Sequence, residues 1–141
     1  MSEINWAALQ QAAQEAAAQA YAPYSKFPVG VAVLAASGHI YTGCNVENAS
    51  YGGTVCAERN AIGAAVVAGE RKFSALMVYT PQEMLTPPCG ICRQVIAEFF
   101  TPNAPIASCN HLQQQQLWTL GELLPAAFTP SYLANSTKVG A

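Results

Sequence analysis

The chain has 141 residues, 52% of them hydrophobic and only 10% charged, with six Lys and Arg against eight Asp and Glu and a formal net charge of −2. With no basic run anywhere, this balance offers little attraction to a phosphate backbone, which argues against a nucleic-acid partner. The first residues carry none of the marks of a signal peptide and no apolar stretch is long enough to span a bilayer, so no membrane association and a cytoplasmic location are expected. The length suits a single domain, 1–141, able to bury a core without disulfides, and the sparse charge points to apolar surface covered between subunits.

Asn5 is a candidate N-cap, followed by Trp6, Leu9, Ala13, Ala16, Ala17 and Ala20 at helical intervals in an alanine-rich segment. Pro23 and Pro28 then bracket a loop. Val29 to Ala35 is an apolar run, Ser37-Gly38 a turn and His39 to Cys44 a second strand-like segment, which together read as a hairpin. After a polar stretch from Asn45 to Thr54, the alanine-rich segment from Cys56 to Ala68 ends at Gly69, a natural residue just past a helix end. Ser74 to Tyr79 reads as a buried strand. Pro87-Pro88 leads into a helix from Cys89 to Phe100, with Ile91, Val95, Ile96 and Phe99 at helical spacing. Two short strands, Ile106 to Ser108 and Leu117 to Thr119, flank a patch of four glutamines, and Leu120 to Leu124 starts a last short helix. This alternation predicts an α/β layered domain, a sheet with helices on both faces.

Five cysteines is an odd number, and Cys89-x-x-Cys92 has the spacing of metal or redox chemistry rather than of a secreted disulfide framework. Cys89 and Cys92, at i and i+3 after a proline, can both face one end of their helix, and Cys56 opens the other helix. Helix N-termini lower thiol pKa, so three thiolates at two such ends suit a soft or borderline cation, of which Zn²⁺ fits best. Three protein ligands leave the fourth tetrahedral position open, the arrangement of a catalytic site. His39 and His111 lack ligand spacing and read as surface residues; Cys44 and Cys109 read as buried free thiols.

Glu58 is the candidate proton carrier. Residues i and i+2 point to different faces of a regular helix, so Cys56 must sit at the cap or in the first turn for both side chains to reach one metal. Three thiolates on Zn²⁺ leave a net charge near −1, which weakens its acidity; Arg59, donating to a thiolate sulfur, can offset that charge.

Cys56-Ala57-Glu58 followed by Pro88-Cys89-x-x-Cys92 resembles the zinc signature of the cytidine deaminase superfamily, and within it the three-cysteine type. The resemblance extends over Ala22 to Gly30, Asn45 to Tyr51, Cys56 to Arg59, Pro88 to Gln94 and Glu122 to Phe128. It implies a three-layer α/β/α sandwich around a mixed, roughly five-stranded sheet, one Zn²⁺ per subunit, and a homotetramer with shared active sites. It implies hydrolytic deamination of a free pyrimidine nucleoside, cytidine or 2′-deoxycytidine, as in pyrimidine salvage. Asn45 and Glu47 would bind the ribose hydroxyls, Ala57 and Glu58 the pyrimidine, and Phe27 and Phe128 would pack around the nucleoside. Tyr51 and Phe128 are the residues expected to reach a neighbouring chain's site. Three alternatives remain at this level: another aminopyrimidine such as blasticidin S, against which Asn45-Val46-Glu47-Asn48 argues; a structural zinc module closed by a fourth ligand; and an editing enzyme for RNA or DNA, which the acidic balance and a site suited to a free nucleoside disfavour.

Overall fold

The computed structural model describes residues 3–139, with the backbone alone for 135–139. It begins with α1 (Trp6–Ala17), which Asn5 caps by accepting the Ala8 N–H on its side-chain oxygen at 3.1 Å. The helix stops before Ala20, the last position of the expected periodic run. Gln19 and Ala20 donate to Ala16 and Ala17, three residues back, so the final turn tightens, and Tyr21 then bonds across to the Asn45 carbonyl.

The hairpin forms as expected from β1 (Gly30–Ala35) and β2 (Ile40–Cys44), paired from Gly30↔Cys44 to Leu34↔Ile40. After it come α2 (Ala57–Val67) and β3 (Phe73–Thr80). Gly69 ends α2 at φ +102°, a conformation that a Cβ would strain. The Gly69 N–H bonds the Val66 carbonyl and the Glu70 N–H the Ala65 carbonyl, the paired bonds of a Schellman terminus. Next are α3 (Gly90–Phe99), β4 (Pro105–Asn110), β5 (Gln115–Thr119), α4 (Leu120–Leu123) and α5 (Pro130–Val139). Helix α5 was not anticipated from the sequence.

The five strands form one sheet in the order β2-β1-β3-β4-β5, parallel between β3 and β4 and antiparallel elsewhere, which is the mixed sheet expected. Both faces are covered. Leu9 and Ala13 of α1 pack on Ala32, Met77 and Ala107, while Ala61 and Ile62 of α2 and Ile96 of α3 pack on Val31, Val33, Val78 and Ile106. Burial on two sides explains why β1 and β3 are apolar almost throughout instead of alternating. Helix α2 lies very close to β2: a Cβ on Gly43 would stand 2.3 Å from the Ala61 nitrogen. Only glycine allows that approach.

Strands β4 and β5 are longer than expected, with Cys109↔Gln115 and Ser108↔Gln116 extending the ladder into the glutamine patch. The cause is the Asn110 side chain, which binds the Leu112 and Gln114 N–H groups at 3.0 and 3.1 Å and so closes the turn. Cys109 is buried, and burial pushes its thiol up to about 12; Cys44 is half-buried. Among the described residues, no helix is long and apolar enough to cross a membrane.

Candidate active site

Two helix N-termini on the same face of the sheet meet at the site. Cys56 is the N-cap of α2 and Cys89 the N-cap of α3, each with extended backbone, and Cys92 follows in the first turn of α3. Pro88 therefore stands one residue outside the cap, not in the first turn. Because Cys56 is a cap and not a helical residue, it and Glu58 escape the i, i+2 divergence of a regular helix.

The Cys56 and Cys89 sulfurs are 3.8 Å apart and those of Cys89 and Cys92 3.3 Å; all three lie within 4.8 Å of one another. Sulfurs on a tetrahedral zinc, at Zn–S of about 2.3 Å, are about 3.8 Å apart. The trio thus fits zinc in donor type and in spacing. Among the described residues it is the only such cluster, and His39 and His111 are exposed and do not belong to it, as expected.

The electrostatics divide these groups sharply. A hydrogen bond with the Cys92 thiol, reinforced by Arg59, draws Cys56 down to about 5, against the opposing effect of burial. The same hydrogen bond, with burial and the nearby Glu58, pushes Cys92 well above the ordinary thiol range. Glu58 is only 5% exposed, and burial raises it to about 7, where a carboxyl can give and take a proton under neutral conditions. The Arg59 guanidinium places Nη2 3.7 Å from the Cys56 sulfur and 3.4 Å from the Thr54 carbonyl, and the sulfur contact raises its own pKa.

A cavity of 310 Å³ opens beside the sulfurs, lined by Phe27, Asn45, Glu47, Ala57 and Glu58 together with Cys56 and Cys89. Seven of the residues singled out in the sequence therefore border one space. A second cavity of 280 Å³ shares Ser25, Glu47 and Thr54 with it and is bordered by Tyr51, whose ring meets Tyr24 edge to face at 5.9 Å. The 310 Å³ cavity is within the range of about 300–1,000 Å³ usual for small-molecule pockets.

Asn45 accepts the Val29 N–H at 2.9 Å and donates to the Phe27 carbonyl at 2.9 Å, which fixes the loop bearing Phe27. Glu47 accepts from the Tyr24 and Ser25 N–H groups at 3.0 and 3.1 Å and from the Ser25 hydroxyl, and these bonds hold its carboxyl below the ordinary range. Ser25 also accepts the Phe27 N–H at 3.1 Å, so one hydroxyl ties Glu47 to the Phe27 loop. Sequence reasoning missed Ser25, and it missed Thr86 and Pro87, which wall the cavity. Ser25 lies inside a block already noted, but only the return of the chain at Glu47 gives it a role.

Phe128 does not border the cavity of its own chain. The residue is 58% exposed and its ring stacks on Tyr132 at 5.7 Å, while its carbonyl accepts from the Gln94 amide at 2.9 Å.

Residues 5–108 match the model of the cytidine and deoxycytidylate deaminase zinc-binding region. The chain belongs to this family. A cytidine deaminase of Sporosarcina psychrophila is 48% identical over 125 residues, covering 89% of this chain and 92% of the relative. A cytidine deaminase of Mycobacterium tuberculosis is 41% identical over 128 residues, 91% of this chain and 92% of the other. Among solved structures, the cytidine deaminase of Burkholderia pseudomallei aligns with a TM-score of 0.84 at 42% identity, covering 89% of this chain and all of that one. The fold is therefore that of the family, and the three cysteines lie within its zinc-binding region.

Proposed function

We propose that this chain is a zinc-dependent enzyme that hydrolyses cytidine and 2′-deoxycytidine to uridine and 2′-deoxyuridine with release of ammonia, and that it serves pyrimidine salvage in the cytoplasm. One observation carries the reading: a buried carboxyl, Glu58, two residues from the Cys56 ligand of a zinc-compatible sulfur trio, lines one cavity together with Cys56, Cys89, Asn45 and Glu47. The names of the relatives, all cytidine deaminases, support the same substrate class.

Zinc, held by Cys56, Cys89 and Cys92, would supply the Lewis acidity that makes a water nucleophilic near neutral pH. Glu58 takes the proton of the attacking water and passes it to N3 of the pyrimidine while oxygen bonds to C4. It then moves a second proton from that oxygen to the amine, which leaves as ammonia as the C4 carbonyl forms. Water is consumed and every proton returns, so Glu58 ends as it began.

Asn45 and Glu47 receive the sugar hydroxyls. Glu47, already holding three donors, has room for one more and, being ionised, accepts only. Phe27 and the Ala57 backbone frame the flat base. Arg59 withdraws density from the Cys56 thiolate and offsets the negative charge of a three-thiolate site.

The 141 residues act as one catalytic domain, and four copies share their sites. Support for the assembly comes from large apolar side chains left exposed, Tyr51 at 76%, Val67 at 90% and Phe128 at 58%. Tyr51 and Phe128 are the groups that would close a neighbour's cavity. The test is a side-by-side assay of ammonia release and absorbance loss with cytidine, deoxycytidine, CMP, cytosine and blasticidin S. Turnover confined to the first two is expected, and turnover of cytosine or blasticidin S without the nucleosides would overturn the substrate assignment.

A further inference from the structure

The segment from Pro81 to Cys89 has no regular secondary structure, yet it brings Thr86 and Pro87 to the cavity wall and Cys89 to the sulfur cluster. Three hydrogen bonds from outside fix three of its carbonyls. The Asn110 amide donates to Glu83 at 3.0 Å, the Ser108 hydroxyl donates to Thr86, and Arg93 Nε donates to Pro88 at 2.7 Å. Ser108 and Asn110 are 1% and 0% exposed, and they lie on β4 at the end of its parallel pairing with β3, opposite Val78 and Thr80. They share the strand face of Ile106, which packs in the core, so an apolar side chain would satisfy the fold at position 108, whereas Asn110 also closes the β4–β5 turn. Burying a hydroxyl and an amide there costs free energy unless both are bonded, and each spends one donated hydrogen on the loop. Asn110 gives its remaining hydrogen to the Gln114 side chain at 2.8 Å, and its oxygen takes the Leu112 and Gln114 N–H groups, so its bonding capacity is full.

We propose that Ser108 is a positioning residue for the reaction: through the Thr86 carbonyl it holds the Thr86-Pro87 wall in place against Glu58, with Asn110 anchoring the start of the same loop. This rests on the deaminase reading, and it adds a strand, β4, to the machinery that orients the substrate. A wall that drifts by a fraction of an ångström misaligns the base with Glu58 without disturbing the cysteines, because alignment of reacting groups is steeply distance-dependent.

The test compares Ser108→Ala, Ser108→Thr and Ile106→Val in the zinc-loaded protein. The valine variant loosens the same strand and face without touching the loop. Ser108→Ala is expected to lower kcat per zinc-loaded chain roughly ten-fold, to leave zinc content unchanged, and to speed amide hydrogen exchange in the Glu83–Thr86 segment alone. Ser108→Thr, which keeps the hydroxyl, is expected to recover most of the kcat. The proposal is overturned if Ile106→Val lowers kcat as much as Ser108→Ala, if Ser108→Ala lowers only thermal stability, or if it loses zinc. Hydrogen exchange reads the loop independently of activity. A wild-type protein inactive on cytidine would therefore refute the deaminase reading, while unchanged exchange in Ser108→Ala would refute this one.

Discussion

Gly43 makes the fold and the chemistry one problem. It sits in β2 under α2, the helix that carries Cys56 as its cap and Glu58 in its first turn. In Gly43→Ala the new Cβ would lie 2.3 Å from the Ala61 nitrogen, 2.7 Å from the Ala57 carbonyl oxygen and 2.9 Å from the Ala61 Cα, all backbone atoms of α2. No side-chain rotation relieves such contacts. Ordinary contact begins at 3.4 Å, so the helix must withdraw by roughly 1 Å. Overpacking of this kind costs about 1–3 kcal/mol, which for a chain of this size lowers Tm by roughly 3–15 °C. The functional loss should be larger in proportion, since a shift of about 1 Å in reacting groups can cost about a hundred-fold in rate. The assay measures Tm, zinc content and kcat per zinc-loaded chain. A variant with normal zinc, kcat within two-fold of wild type and unchanged Tm would refute the claim that α2 is held at this height by the absence of a side chain.

Two further outcomes follow from the electrostatics. Arg59→Ala removes the guanidinium from the Cys56 sulfur and should weaken zinc retention or turnover by about 10–100-fold; a chelator competition and a kcat measurement that both match wild type would remove the role. Glu70 accepts from the Ser37 and Tyr41 hydroxyls at 2.7 and 2.9 Å, bonds that lower its pKa, and so ties the β1–β2 turn to the end of α2. A depressed carboxyl stabilises the fold fully above its unfolded pKa, and the gain is lost as pH falls through the lower folded value. The Tm advantage of wild type over Glu70→Gln should therefore be constant near neutral pH and vanish in acid below the ordinary 4.5. An advantage that grew in acid would contradict the assignment.

What was legible in the sequence was mostly local. Asn5 and Gly69 announce helix ends by chemistry that acts within a few residues, and both work as read. The cysteine trio was legible because its spacing reports two helix starts, and the family blocks supplied Asn45, Glu47 and Phe27, which do gather at one cavity. What was not legible depends on partners distant in the chain. Nothing near Ser108 or Asn110 says that they reach the loop before Cys89, because those bonds exist only once β4 lies beside β3. The glutamine patch looked irregular, yet a single amide at Asn110 organises it into a hairpin turn. Ala20 fitted the helical period but lost to the tightened final turn and to the bond that carries Tyr21 toward Asn45. Phe128 does not line its own chain's cavity, and a role in a neighbouring chain's site, as proposed, would depend on contacts that no single chain contains.

The most direct measurement is single-turnover deamination of cytidine in ¹⁸O-labelled water, with ammonia counted and the uridine weighed, for wild type and Glu58→Gln. The expected result is one ammonia and one labelled oxygen at C4 per cytidine for wild type. Glu58→Gln should retain zinc and react at least about a hundred-fold more slowly. Uridine without label, or near-normal turnover by Glu58→Gln, would contradict hydrolysis driven by Glu58 at this site.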